Sequence, residues 1–170
     1  GHATGLSPEV IHTEPGILVL RFVEGRTLEE KDLAPSIGRI VPMLHRVHRC
    51  MWKHLTGTTA EFSVFQVIRD YVRLIDADRK YVGLADRLEA AQTPLPVAFG
   101  HHDLLPGNLI DDGRRLWLID WEYGAFGTPM FDLANLAANG NFDLAQEKAL
   151  LAAYFEGKVT SELQVAFEAM

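Results

Sequence analysis

The apolar positions of this chain fall into two rhythms. Ile17–Phe22, "ILVLRF", is a nearly continuous apolar run rich in branched side chains and predicts a buried strand. "VEGRTLEEKDL" follows, with a glycine-containing turn and then Thr27, Glu29 and Glu30 as a predicted helix start. From Ser36 the apolar residues Ile37, Ile40, Val41, Leu44 and Val47 recur at helical spacing, interrupted by Pro42, which predicts a kink or a later start. Phe62 to Ala91 is mostly helical in pattern, with Phe65, Ile68, Val72 and Ile75 on one face and Leu84 and Leu88 on another. Thr93-Pro94-Leu95-Pro96 ends that block.

"VAFG" predicts a short strand running into two histidines. "NLI", Asp111-Asp112-Gly113 and "RLWLID" predict a β-hairpin with an Asp-Gly turn. After Pro129 the pattern is helical over 131–138, 143–155 and 161–167. The order is one early strand, a helical block, a hairpin and a second helical block. That predicts an α+β fold, mostly helical.

Composition narrows the function. The 170 residues are enough for one sizeable core. A net charge of -7 argues against a nucleic-acid partner. No apolar run is long enough to span a membrane, so no membrane partner is expected. Cys50 is the only cysteine, which excludes an intramolecular disulfide and fits a cytoplasmic location. The chain opens Gly1-His2 without methionine, which reads as a tag scar or an internal fragment.

The unusual residues concentrate in Phe99–Gly124, "FGHHDLLPGNLIDDGRRLWLIDWEYG". His101-x-Asp103-x-x-x-x-Asn108 has the spacing of a kinase catalytic loop, and Asp120 follows across a hairpin where a kinase places its metal aspartate. The residue types suit phosphoryl transfer. A carboxylate at Asp103 can orient a hydroxyl and take its proton. Asn108 and Asp120 offer the oxygen ligands that Mg²⁺ prefers. His101 then braces the loop, and His102 is incidental.

The segment resembles the choline/ethanolamine kinase and aminoglycoside phosphotransferase superfamily, small-molecule kinases with a protein-kinase-like fold. "HHDLLPGNLI" is similar to that family's catalytic loop, and "LIDWEYG" and "FDLANLA" to the segments that follow. "LVLRFVEGRTL" resembles its last N-lobe strand and hinge. The resemblance implies a C-terminal lobe carrying a catalytic β-hairpin, with residues 1–25 as N-lobe strand and hinge, residues 26–170 as helical C-lobe, and the rest of the N-lobe outside this chain. It implies ATP as co-substrate and Mg²⁺ as cofactor. It places Arg21, Phe22 and Val23 at the nucleotide hinge, Glu122 and Tyr123 at the acceptor site, and Asp132 as a buried carboxylate tying the catalytic loop to the core. His48 matches a position packed under that loop.

The resemblance implies a small alcohol acceptor of the choline or ethanolamine type, and a cation held over aromatic rings suits Tyr123. Asn139 stands where choline kinases carry an acidic pocket residue. Thiamine or an aminoglycoside are alternative acceptors, and a non-catalytic pseudokinase is an alternative role. The sequence holds no G-x-G-x-x-G and no strand lysine, so this chain alone is expected to be inactive. A metallohydrolase built on His101, His102, Asp103 and Asp120 is the alternative from a different class.

Overall fold

The computed structural model describes residues 2–55 and 58–170. Strands β1 (Val10–Glu14) and β2 (Ile17–Leu20) form an antiparallel ribbon, with Val10 opposite Leu20 and Glu14 opposite Ile17. Strand β3 (Arg26–Thr27) and the short helix α1 (Glu30–Leu33) lead into α2 (Ile37–Cys50). Helices α3 (Val64–Leu74) and α4 (Lys80–Ala90) pack on each other as a hairpin. Strand β4 (Ala98–Gly100) precedes the two histidines. Strands β5 (Leu109–Asp111) and β6 (Leu116–Leu118) form the hairpin, and β3 extends it to the order β3-β5-β6. Strand β7 (Ala125–Gly127) pairs antiparallel with β4. Helices α5 (Pro129–Asn139), α6 (Leu144–Tyr154) and α7 (Ser161–Glu168) complete the chain.

Helix α2 is the spine of the core. Its Ile40, Leu44 and Val47 are fully buried, as are Leu104, Leu109 and Leu118 around the hairpin and Leu133, Leu136 and Leu150 on α5 and α6. Pro42 lies inside α2, with the helix intact on both sides. Helices α5, α6 and α7 each open on a side-chain N-cap, Thr128, Asp143 and Thr160, which supplies an acceptor to otherwise orphaned backbone N–H groups. Among the described residues, no helix is long and apolar enough to cross a membrane.

Four expectations need correction. The run Ile17–Phe22 is a strand only to Leu20, and it is not buried: Ile17, Leu18 and Val19 are 49%, 61% and 43% exposed. An apolar run of this kind needs cover on both faces, and none of the described residues supplies it. The partner strand β1 carries no comparable apolar signature, because His12, Thr13 and Glu14 break it. Thr27 belongs to β3; helix α1 starts instead from Glu29, which forms a reciprocal capping box with Asp32. The block from Phe62 is mostly helical as expected, in two helices, but Ile75, expected on the apolar face, caps the end of α3 and is 68% exposed.

The hairpin turn is as expected in kind. Gly113 has φ +84, which suits a residue without Cβ, and the Asp112 carboxylate accepts from the N–H groups of Arg114 and Arg115 at 2.8 Å each. Gly100 is a different case. A Cβ there would lie 2.5 Å from His102 Cε1, so the missing side chain makes room for the buried imidazole. Gly100→Ala should therefore cost about 1–3 kcal/mol by overpacking, read by urea denaturation. Gly107→Ala, where an added Cβ meets open space, should stay within about 0.5 kcal/mol of wild type.

Candidate functional site

The loop between β4 and β5 turns sharply, and the sequence around it explains how it is held. Asp132 on α5 is fully buried. Its Oδ2 accepts from the His101 backbone N–H at 2.9 Å and from His48 Nε2 at 2.9 Å. Its Oδ1 accepts from the His102 backbone N–H at 2.7 Å. Asn135, one turn further along α5, accepts from the Leu104 N–H at 2.6 Å, and Asn139 donates to Leu104 O at 3.4 Å. Asp132, Asn135 and Asn139 thus form one helical stripe facing the loop.

Burial pushes the Asp132 carboxyl up. The hydrogen bond and charge of His48, the nearby His102 and the His101 N–H outweigh that and hold it at about 2. His48 in turn accepts at Nδ1 from the Tyr154 hydroxyl, 2.8 Å away, which leaves Nε2 as the donor to Asp132. Burial raises the Tyr154 phenol to about 12, so it stays a donor.

The two histidines have separate duties. His101 is fully buried. Its Nε2 donates to Ile119 O at 2.9 Å and its Nδ1 accepts from the Asp103 N–H at 3.2 Å. One imidazole thereby joins the residue before Asp120 to Asp103. His102, read from the sequence as incidental, is a core residue only 5% exposed, at φ 63. Its ring stacks on Phe62 at 4.4 Å and donates from Nε2 to Ala125 O at 3.2 Å. Burial lowers its pKa, against the opposing pull of Asp132. The partner ring, Phe62, sits a long way upstream, and no local pattern connects the two. Because both His101 nitrogens are engaged and His102 is packed in the core, this pair cannot serve as the nitrogen ligands of a metallohydrolase.

Asp103 stands at the loop's outer end, half-buried. Asn108 Nδ2 donates to Asp103 Oδ2 at 3.1 Å and to Asp103 O at 2.9 Å. Among the described residues no donor engages Asp103 Oδ1, so one carboxylate oxygen is left to act. With Nδ2 committed, Asn108 has its amide oxygen to offer. The Ile119 N–H bonds to Asn108 O at 3.0 Å, which brings the end of β6 beside Asn108. Asp120 follows at φ 60 with an exposed side chain and no ion pair among the described residues. An amide oxygen and a free carboxylate make an oxygen-only donor set, which fits Mg²⁺.

A cleft of about 460 Å³ opens beside Asp120, lined by Trp121, Glu122, Ser7, Pro8 and, from the ribbon, Val10, Leu18 and Leu20. Arg21, Phe22 and Val23 line an adjoining cleft of about 500 Å³ with Trp117 and Arg115, and Ser7 and Pro8 line both clefts. Glu122 and Tyr123 are both exposed. Trp117 and Arg115 are partners: the guanidinium lies 3.5 Å from the indole centroid.

The model of the phosphotransferase enzyme family matches residues 2–165. The chain belongs to this family. Similar solved structures include a choline/ethanolamine kinase family protein from Mesorhizobium loti, 30% identical with a TM-score of 0.79, covering 98% of this chain and 61% of that one. Choline kinase LicA from Streptococcus pneumoniae is 27% identical with a TM-score of 0.77, over 98% of this chain and 62% of that one. Among curated proteins, a LicA homolog from Mycoplasma capricolum is 33% identical, over 86% of this chain and 61% of its own length. This chain thus spans about three fifths of these phosphotransferase-family relatives, and 48% of a Haemophilus influenzae LicA. The fold is the protein-kinase-like fold of these structures.

The Asp132 linkage has a pH signature. An unfolded aspartate titrates near ~4, whereas Asp132 in the fold is held at about 2. Its contribution to stability is complete above ~4 and is lost as pH falls through 2. Asp132→Asn should lower stability by about 3–5 kcal/mol at neutral pH, and the gap to wild type should narrow by about 2–3 kcal/mol, the worth of the shift to about 2, as pH falls from ~4 to ~2 and below. Denaturation of both proteins across that range measures it.

Proposed function

We propose that this chain is the C-terminal lobe and hinge of an ATP-dependent phosphotransferase that moves the γ-phosphoryl group onto the hydroxyl of a small alcohol. The observation that carries the reading is Asp103: a carboxylate fixed on one oxygen by Asn108 and free on the other. Such a group can accept a hydrogen bond from an incoming hydroxyl, orient its lone pair toward phosphorus, and take its proton as the bond to phosphorus forms. The lone pair of that hydroxyl makes the new P–O bond, and ADP leaves with the electrons of the broken one.

Asn108 and Asp120 would hold Mg²⁺, which when bound neutralises charge on the nucleotide phosphates. Residues 1–25 supply ribbon and hinge, with backbone groups at Arg21, Phe22 and Val23 meeting the adenine. The exposed apolar faces of β1 and β2 suit cover by the rest of an N-terminal lobe, and residues 26–170 form the helical lobe. A cytoplasmic setting supplies the ATP. The relatives named as choline and ethanolamine kinases favour an amino-alcohol acceptor, with Glu122 and Tyr123 at its site. Relatives named thiamine kinase, 27% identical over 125 residues, mark the nearest alternative acceptor.

The test uses the complete reading frame that contains this chain. ATP consumption is measured with choline, ethanolamine, thiamine and aminoglycosides. One of the amino alcohols should give Mg²⁺-dependent turnover, and Asp103→Asn should lower kcat by about 10²–10⁴-fold with little change in acceptor KM. Turnover that survives Asp103→Asn on the best acceptor would remove the proposed base.

A further inference from the structure

Trp121 follows Asp120 directly, and its indole is held from two sides. Nε1 donates to Ser7 Oγ at 2.7 Å, with Leu118 O as a longer second acceptor at 3.2 Å. The ring meets the His101 imidazole edge-on, 4.7 Å between centroids. The turn carrying Asp120 is thereby clamped between the loop brace on one side and Ser7 on the other.

Ser7 has its own anchorage. It is 6% exposed, and its hydroxyl donates to Leu118 O at 2.8 Å. The Leu118 N–H bonds to Leu6 O at 2.8 Å, and Leu6 is 2% exposed. Residues 6–7 are therefore stitched to the end of β6, and the same backbone then enters β1 at Val10. Ser7 stands where the ribbon joins the helical body. The cleft beside Asp120 has Val10, Leu18 and Leu20 from the ribbon, Asp120 and Glu122 from the turn, and Ser7 and Trp121 in the same wall.

The turn needs such a clamp. Asp120 sits at φ 60, a left-handed conformation that costs a non-glycine residue energy, less for aspartate than for most. Its exposed carboxylate has no ion pair among the described residues to hold it. What fixes it is the backbone on either side: Ile119 through His101, and Trp121 through Ser7.

We propose that Ser7 is a positioning residue for Asp120, holding the Asp120 turn against the β1–β2 ribbon through Trp121 Nε1 and so setting the affinity of the cleft for a magnesium–nucleotide complex. This rests on the phosphotransfer reading above. A hydroxyl is required because Ser7 Oγ accepts from Trp121 and donates to Leu118 O at once. Alanine supports neither bond, whereas threonine supports both. A merely structural Ser7 would change stability alone.

The experiment measures Mg²⁺-dependent ADP binding by calorimetry, and turnover against Mg²⁺ concentration, in the complete reading frame. The variants are Ser7→Ala, Trp121→Phe, the double variant and Ser7→Thr. Each of the first two should weaken Mg·ADP binding and raise the half-maximal Mg²⁺ concentration about fivefold, the worth of one ordinary hydrogen bond, with a smaller change in kcat. The double variant should be no weaker than the weaker single, because both remove one shared bond. Ser7→Thr should restore wild-type values. Unchanged Mg·ADP affinity in a Ser7→Ala protein of lowered Tm, or additive effects in the double variant, overturns the proposal. Trp121→Phe keeps the ring against His101 and decides the question if Ser7→Ala does not fold. A wild-type protein that binds no Mg·ADP overturns the phosphotransfer reading itself and this proposal with it, an outcome distinct from wild-type binding that Ser7 leaves untouched.

Discussion

A carboxylate with no solvent exposure lies beneath the loop that carries Asp103. Taking such a group out of water costs several kcal/mol unless donors surround it. Asp132 is surrounded: two backbone N–H groups from the loop and one imidazole N–H from α2 converge on its two oxygens. The loop cannot move without stranding the charge, and the charge cannot be relieved while the loop stays. Helix α6 joins the same unit, because the Tyr154 hydroxyl fixes which His48 nitrogen faces Asp132. Four parts of the fold meet at one anion, and the conformation they agree on is the loop's.

That constraint explains how exposed chemistry rests on buried bracing. His102 takes a left-handed backbone and fills the space between β4, β7 and Phe62. His101 turns the other way and spans from Asp103 to Ile119. Asp103 and Asp120, on opposite sides of the hairpin, are thus set by backbone contacts to the same ring, Asp103 directly and Asp120 through Ile119. Neither imidazole has a nitrogen lone pair directed outward to a ligand. Their work is geometric, and it places two carboxylates and an amide on one edge of the molecule.

The sequence made the candidate site residues easier to find than their supports. His101, Asp103, Asn108 and Asp120 lie within one short stretch at a fixed spacing, and the hairpin between Asn108 and Asp120 has a turn glycine where the pattern asks for one. The two helical blocks follow from apolar periodicity, and α5 could have revealed its loop-facing stripe, since Asp132, Asn135 and Asn139 share a face. The burial of His102 was not legible, because Phe62 approaches it only through tertiary packing. Ser7 was equally hidden: its partners Leu118 and Trp121 are remote in sequence. The exposed ribbon misled for the opposite reason. Its apolar run reports what a strand is suited to be covered by, and periodicity cannot say whether the cover lies within the same stretch of chain.

Charge pairing separates the acidic residues by task. Asp32 and Asp111 are each gripped by an arginine, Arg26 and Arg39, and that hydrogen bonding draws both carboxyls down to about 2. Asp132 is gripped by His48. These acids are committed to the fold, and a ligand would have to displace a protein cation to reach them. Asp103 and Asp120 have no cationic partner among the described residues, although Arg and Lys side chains pair with acids elsewhere on the surface. Lack of a partner alone does not mark a site, since other surface acids share it. Lack of a partner together with a rigidly fixed backbone makes a stronger candidate, because the carboxylate's position is then set while its charge stays uncompensated. Asp103 meets both conditions through Asn108 and His101, and Asp120 through Ile119 and Trp121. A cation brought by the ligand would complete them.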